Sequence, residues 1–208
     1  MHVLRPHLTI VCVLILFNTC LKAQQTEFTN QYKLLFVGNS LSYSNNLPQL
    51  VVAEGEKRQL ELSAEILAKP NYALIDHLKE GELAAKIKKG SFDFVIVQQG
   101  PSSQQEGRDL LFKAVEKLDK ICKKNQSQLS VFMVWPSQQY YHTFDKVIKN
   151  HRDVAEKYQA VLCPVGEIWK AHFDKTQDYS YYGSDGFHPS KKGSQAAAAI
   201  IVDSLFDM

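Results

Sequence analysis

Two short stretches of the chain carry residue types that could act together in catalysis. Ser40 ends the triplet Gly38-Asn39-Ser40 directly after an apolar run, and His188 lies three residues after Asp185 near the C-terminus. A serine hydroxyl is a weak nucleophile at neutral pH and needs a general base, usually a histidine that an acid orients. Either stretch alone also fits a turn or a helix cap. Together they predict a nucleophile, a base and its orienting carboxylate.

Five apolar runs that alternate with helical patterns must position these residues. The runs cover residues 32–37, 60–67, 92–97, 129–135 and 160–164. Buried parallel strands read as continuous apolar runs, and repeated strand–helix order gives crossovers with helices on both faces. We therefore expect an α/β fold, a three-layer α/β/α sandwich on a five-stranded parallel sheet. The run 92–97 is expected at its centre and the alternating run 60–67 at an edge.

The intervals between the runs predict the helices that connect the strands, together with signals for where three of these helices begin or break. Asn46 with Pro48 is typical of a helix start, Gly81 of a helix break, and Ser190 of the cap of the last helix. The remaining helices are expected at 109–124, 140–158 and 167–173. In an open α/β sheet chemistry lies beyond the carboxyl ends of the strands, which is where Ser40 follows the first run.

The N-terminus differs in composition from the rest of the 208 residues. Arg5 precedes an apolar run of about ten residues and a small residue at Ala23, which predicts a secretory signal peptide over 1–23 and an exported, periplasmic or extracellular protein. A lipoprotein acylated at Cys20 is the less favoured alternative. The remainder, 24–208, forms one domain, and no membrane span is expected.

Composition excludes several classes of function. Removal of the leader takes two basic residues and no acidic one, which leaves 22 of each kind, so nothing indicates nucleic acid as a partner. No GxGxxG, P-loop, HExxH or CxxC pattern is present, and neither a cofactor nor a metal is expected. Cys122 and Cys163 are expected to be separate buried thiols, although export would permit a disulfide. Four histidines in charged helical patterns are expected at the surface: His77, His142, His151 and His172.

The chain resembles the SGNH (GDSL-type) hydrolase superfamily, which has a flavodoxin-like fold. Gly38-Asn39-Ser40 is similar to the first block, with Asn39 where Asp is common, and the stretch 185–188 matches the last block, Asp-x-x-His. By this resemblance Ser40 is the nucleophile, His188 the general base and Asp185 its partner. The Gly-Asn-Ser triplet and a Gln-rich third block indicate a divergent subgroup.

The resemblance also implies an oxyanion hole, for which the middle blocks depart from the family pattern. The second-block glycine is absent, and Asn71, which tolerates left-handed backbone, is the expected substitute. The third block holds Ser102 where Asn is usual, so Gln98 or Gln99 could supply an amide instead. These groups and the Ser40 N–H are the expected oxyanion donors.

Aromatic and amide side chains near both motifs are candidates for substrate contact. We expect Asn39, Tyr43 and Tyr182 to line the site, and tyrosines before Asp185 could stack on sugar rings or pack on the core. The expected function is a secreted serine esterase acting on a small-molecule or glycan ester, with O-acetylated carbohydrate as the substrate hypothesis. The alternative is a catalytically inactive carbohydrate-binding protein of the same fold. Nothing indicates the oligomeric state.

Overall fold

The structure is a computed structural model that describes residues 31–206, so the signal peptide predicted at 1–23 lies outside the described residues. Five strands form one sheet: β1 (Gln31–Gly38), β2 (Glu61–Ala68), β3 (Phe94–Val97), β4 (Gln128–Phe132) and β5 (Val161–Cys163). All neighbours are parallel, in the order β2-β1-β3-β4-β5. This confirms the predicted α/β sandwich, with β3 central and β2 at an edge.

Helices connect and cover the strands. They are α1 (Ser40–Tyr43), α2 (Leu47–Lys57), α3 (Leu74–Glu80), α4 (Glu82–Gly90), α5 (Gln105–Lys124), α6 (Phe144–Tyr158), α7 (Val165–Thr176) and α8 (Lys191–Phe206), with short 3₁₀ helices at Ser44–Asn46 and Gln138–Thr143. Gly81, with φ of 77°, separates α3 from α4 as predicted. The Ser190 hydroxyl accepts from the Gly193 N–H at 3.0 Å and caps α8, also as predicted.

The sequence-based helices differ from the structure in three places. The four-residue α1 was not predicted. Asn46 precedes α2 with φ of 57°, but its side chain makes no capping hydrogen bond. The segment before α6 is a 3₁₀ helix with a kink at Tyr140 rather than the start of the α-helix.

Two apolar cores lie on opposite faces of the sheet because successive side chains of a strand point to opposite sides. Leu34 and Phe36 of β1 enter the core under α2, α7 and α8, whereas Leu35 and Val37 enter the core under α3, α4 and α5. All four side chains are inaccessible to solvent. The carboxyl end of β1, which directly precedes the Gly-Asn-Ser turn, is therefore packed against helices on both faces of the sheet.

Cys122 and Cys163 lie in different cores as free buried thiols, as predicted. Burial raises the pKa of both thiols to about 12, so neither is a reactive thiolate at neutral pH. None of the described helices is long and apolar enough to cross a bilayer.

Candidate active site

The serine turn is built by the residues on either side of Ser40. The side-chain oxygen of Asn39 accepts from the Leu41 N–H at 3.2 Å and caps α1, of which Ser40 is the first residue. The first N–H groups of a helix have no acceptor within it, so the Ser40 N–H is left for another partner. A Cβ on Gly38 would lie 2.5 Å from both Gln98 Oε1 and Ser42 Oγ, so only glycine fits behind the serine.

The loop between α7 and α8 brings Asp185 onto His188. Asp185 Oδ1 accepts from the N–H groups of Phe187 and His188, both at 2.9 Å, and Oδ2 accepts from His188 Nδ1 at 2.6 Å. Gly186 supplies the left-handed residue of this turn, with φ of 67°. The contact with His188, followed by that with the Phe187 N–H, holds the pKa of the Asp185 carboxyl below its usual value. The carboxylate is therefore ionised at neutral pH.

Three hydrogen bonds attach this loop to the segment after β4. Trp135 Nε1 donates to the Phe187 carbonyl at 2.9 Å, and Tyr182 Oη donates to the Pro136 carbonyl at 2.8 Å. The Gln138 N–H donates to the Gly186 carbonyl at 2.8 Å. The histidine loop is thus held at the carboxyl edge of the sheet, beside the end of β1.

The structure brings together the three residues predicted to act as nucleophile, base and acid. His188 Nε2 lies 2.9 Å from Ser40 Oγ, although the two residues are 148 positions apart. A proton on Nδ1, facing the carboxylate, leaves the Nε2 lone pair to accept from the serine hydroxyl, which satisfies both contacts. The arrangement can deprotonate Ser40 for attack on a carbonyl carbon.

Asn45 ties the serine turn to the histidine loop, a role that was not foreseen. Its Nδ2 donates to the Pro189 carbonyl and to Ser194 Oγ, both at 2.9 Å. Its φ of 53° is a left-handed value that Asn tolerates better than most residues. The sequence alone does not reveal this role, because the partners of Asn45 lie almost 150 residues further along the chain.

Two residues predicted to face a substrate instead hold the serine turn. Gln98 is inaccessible to solvent, and its Oε1 accepts from the Asn39 N–H at 3.0 Å and from Ser42 Oγ at 2.9 Å. Asn39 is 9% exposed, and its Nδ2 donates to the Tyr72 carbonyl at 3.1 Å. Gln98, through its Oε1, and Asn39 therefore act as positioning residues for the serine turn.

The other oxyanion candidates differ in whether their donor groups are already bound within the protein. Asn71 has the expected left-handed conformation, with φ of 60°, in an exposed turn after β2. Gln99 is buried, and its Nε2 donates to the Gly107 carbonyl at 3.3 Å. Ser102 Oγ lies against the start of α5, 3.4 Å from the Gln104 N–H. Asn71 and the Ser40 N–H remain as candidate donors, whereas the side chains of Gln99 and Ser102 are directed elsewhere.

The aromatic and histidine predictions need correction. Tyr182 is 6% exposed, and its ring stacks on Phe173 at 5.2 Å, so it packs on the core and does not bind substrate. Tyr43 is 40% exposed and remains a candidate for contact with a substrate. The surface prediction was wrong for His77, which is fully buried and donates from Nε2 to the Gly38 carbonyl at 2.7 Å, and for His151, whose pKa burial lowers to about 4.

A groove of about 770 Å³ lies beside the acid–base pair. One side is the loop after β3, the other is the 3₁₀ segment before α6, and the end nearest the triad is formed by Asp185 and Phe187. The lining residues are Pro101, Ser102, Ser103, Gln104, Pro136, Ser137, Gln139, Tyr140, His142, Thr143, Val147, Asp185 and Phe187. Tyr140 is 55% exposed and offers an aromatic ring there. Of Ser40, His188 and Asp185, only Asp185 is among the residues that line the groove.

Comparison with known proteins supports the fold. No protein-family model and no curated protein matches the sequence. The structure matches a candidate SGNH hydrolase from Slackia heliotrinireducens, with a TM-score of 0.72, 22% identity, and coverage of 85% of this chain and 100% of that one. It also matches a DUF4886 family protein from Bacteroides uniformis, with a TM-score of 0.68, 16% identity, and coverage of 86% and 84%.

An acetylxylan esterase from Geobacillus stearothermophilus matches with a TM-score of 0.66, 14% identity, and coverage of 84% of this chain and 94% of that one. The chain has the α/β fold of the SGNH (GDSL-type) hydrolases. The fold that the resemblance implies is confirmed.

Proposed function

We propose that the chain is a serine esterase that hydrolyses ester bonds by two-step acyl transfer. The observation that carries the proposal is the continuous contact from Asp185 through His188 to Ser40, at 2.6 and 2.9 Å. Nucleophile, base and orienting acid in this order are the minimum for serine-based hydrolysis.

Each residue has a defined part in the reaction. Ser40 Oγ attacks the ester carbonyl carbon while His188 Nε2 takes the hydroxyl proton, and Asp185 stabilises the imidazolium that forms. The carbon–oxygen bond to the alcohol breaks, and His188 returns the proton to the leaving alcohol. Water, deprotonated by His188, then attacks the acyl group on Ser40. The acyl–Oγ bond breaks, the acid leaves, and His188 returns the proton to Ser40 Oγ.

The tetrahedral intermediate needs hydrogen-bond donors for its oxyanion. We propose that the Ser40 N–H and the N–H of the exposed turn residue Asn71 donate hydrogen bonds to the oxyanion. Loss of one oxyanion donor typically costs roughly 100-fold or more in rate. Asn71→Gly keeps both the N–H and the left-handed backbone, so we expect it to stay active, because the proposed donor is the N–H and not the side chain.

The proposed substrate is an O-acyl, and specifically an O-acetyl, group on a glycan. An exposed Tyr140 in a groove of mixed polar and apolar lining suits a sugar ring, because aromatic faces combine apolar area with a polar rim. An acetylxylan esterase among the proteins of the same fold agrees with this substrate class. An acetyl group would need little room beside Ser40.

We also propose that the protein is exported, with residues 1–23 as a cleaved signal peptide. An external location suits a glycan substrate. N-terminal sequencing of the mature protein from its source cell would begin at Gln24 by this proposal. A lipid-modified start at Cys20 would support the lipoprotein alternative instead.

Hydrolysis of p-nitrophenyl acetate by the purified protein tests the reaction. We expect Ser40→Ala and His188→Ala each to lose roughly 1000-fold or more of kcat/KM, since triad members act as a unit. Ser63→Ala, on the exposed edge strand, is the matched serine control and should stay active. An inactive wild type that binds acetylated xylo-oligosaccharide would favour the carbohydrate-binding alternative.

A further inference from the structure

A second hollow opens from the groove beside the triad, between α5 and α6. Its volume is about 460 Å³, and it shares Ser103 and Gln104 with the groove. The lining residues are Ser103, Gln104, Gln105, Arg108, Lys146, Lys149 and Asn150. All the ionisable groups among them are cationic, which distinguishes this hollow from the groove.

The Arg108 guanidinium is fixed by contacts on one side, whereas the edge formed by Nε and Nη2 makes no hydrogen bond to the described residues. Nη1 contacts Asn150 Oδ1 and Asp153 Oδ2, both at 2.8 Å, and the guanidinium lies over the Phe112 ring at 4.4 Å. Among residues 31–206, Nε and Nη2 have no partner. A fixed guanidinium presents these donors as a planar fork that matches a carboxylate.

Positive charge exceeds negative charge around the hollow. Lys149 pairs with Asp153 at 2.7 Å, and the same carboxylate also serves Arg108. Lys146 is exposed and makes no ion pair within the part of the chain that the structure describes. The next acid on α5, Asp109, accepts from Gln105 at 2.7 Å and does not line the hollow. Three cations therefore line the hollow, and two of them, Arg108 and Lys149, share the carboxylate of Asp153.

We propose that this hollow is a subsite for a carboxylate on an acidic glycan, so that the enzyme acts on acetylated chains that contain uronic acid units. This inference rests on the proposed esterase function for the identity of the ligand as a glycan. The Arg108 fork would bind the carboxylate through two hydrogen bonds, and Lys146 would add a point charge. Because the hollow opens from the groove, the charged unit would be a neighbour of the unit that carries the ester.

Isothermal titration of the purified full protein with α-1,4-linked trigalacturonate tests the subsite without any turnover. α-1,4-Linked galactotriose, which has a hydroxymethyl group in place of each carboxylate, is the neutral probe. We expect trigalacturonate to bind about tenfold more tightly than galactotriose, because it gains one charge-assisted contact. Its affinity should fall as salt is raised, since the cations are partly exposed.

Two variants assign the effect to the hollow. Lys146→Gln should weaken trigalacturonate binding about fivefold, whereas Lys113→Gln, the same change at an exposed position of α5 outside the hollow, should not. Arg108→Lys keeps the charge and removes the fork, so it should also weaken binding. Should Arg108→Lys disturb the contact between α5 and α6, Lys146→Gln decides alone, because its side chain holds no other element.

The outcomes separate this inference from the esterase proposal. Equal affinity for the two trisaccharides, or equal effects of Lys146→Gln and Lys113→Gln, would overturn the subsite even if p-nitrophenyl acetate is hydrolysed. Charge-dependent binding that Lys146→Gln weakens would support the subsite even if the ester is not hydrolysed, and the esterase proposal would then fail by itself.

Discussion

Replacement of Asp185 by Asn tests how the carboxylate acts on His188. The Asn side-chain oxygen can still accept from the N–H groups of Phe187 and His188, so the turn is preserved. The amide nitrogen then faces His188 Nδ1 and donates to it. The ring proton must move to Nε2, where it points at Ser40 Oγ and blocks proton transfer from the serine.

The size of the effect follows from two terms. The reactive tautomer would set an amide N–H against the Nδ1–H, and an unsatisfied donor costs roughly 1–3 kcal/mol. The charge-assisted bond to the imidazolium, roughly 1.5–3 kcal/mol, is also lost. Because the Asp185 side chain is 52% exposed, water offsets part of both terms, which leaves about 3–4 kcal/mol. That corresponds to a loss of roughly 100- to 1000-fold in kcat.

The assay is steady-state hydrolysis of p-nitrophenyl acetate, with unfolding by urea as a check on the fold. Asp93→Asn is the matched control, because Asp93 accepts from the Lys33 N–H at the start of β3, far from the carboxyl edge. A kcat within about tenfold of the wild type would refute the tautomer reasoning. Asp185 would then serve only to shape the turn.

Three further changes test two supports of the site and the ion pair of Asp178 with Lys192 at the start of α8. Asn45→Gly keeps the left-handed backbone but loses both hydrogen bonds to the His188 loop, and kcat on p-nitrophenyl acetate should fall about tenfold with little change in KM. Gly38→Ala should lower the free energy of unfolding in urea by about 1–3 kcal/mol, because the new Cβ would lie 2.5 Å from two polar atoms, whereas Gly100→Ala, with its nearest neighbour at 3.9 Å, should be tolerated. The hydroxyl of Ser180, then Lys192, holds the pKa of Asp178 below its usual value, so its contribution to stability is present above about pH 4 and is lost as the pH falls. The difference in Tm between wild type and Asp178→Asn should therefore shrink from about pH 5 towards about pH 2; a constant difference would contradict this assignment.

Strands β1, β3 and β4 were predictable because both of their faces are buried. β1 places Leu34 and Leu35 in different cores, so its sequence is apolar without alternation, and no tertiary information is needed to recognise it. The contact between Asp185 and His188 is local and could be read from their spacing. The approach of Ser40 to His188 followed only from topology, since parallel strands end at one edge.

The supports of the site could not be read in the same way. Buried polar groups need hydrogen-bond partners, and those of Gln98, Asn45 and His77 lie 39 to 149 positions away. A histidine within a charged helical pattern, such as His77, gives no sign that its ring will meet the Gly38 carbonyl. The four-residue α1 is too short to show a helical period.

The separation of Ser40 from His188 along the chain has a consequence for biosynthesis. The nucleophile follows the first described strand, whereas its base precedes the last helix, so every strand must be in place before the two meet. Contacts between such distant residues form late, because the loop that they close is long. By the proposed mechanism, a nascent chain therefore lacks its general base until the C-terminal helix has docked.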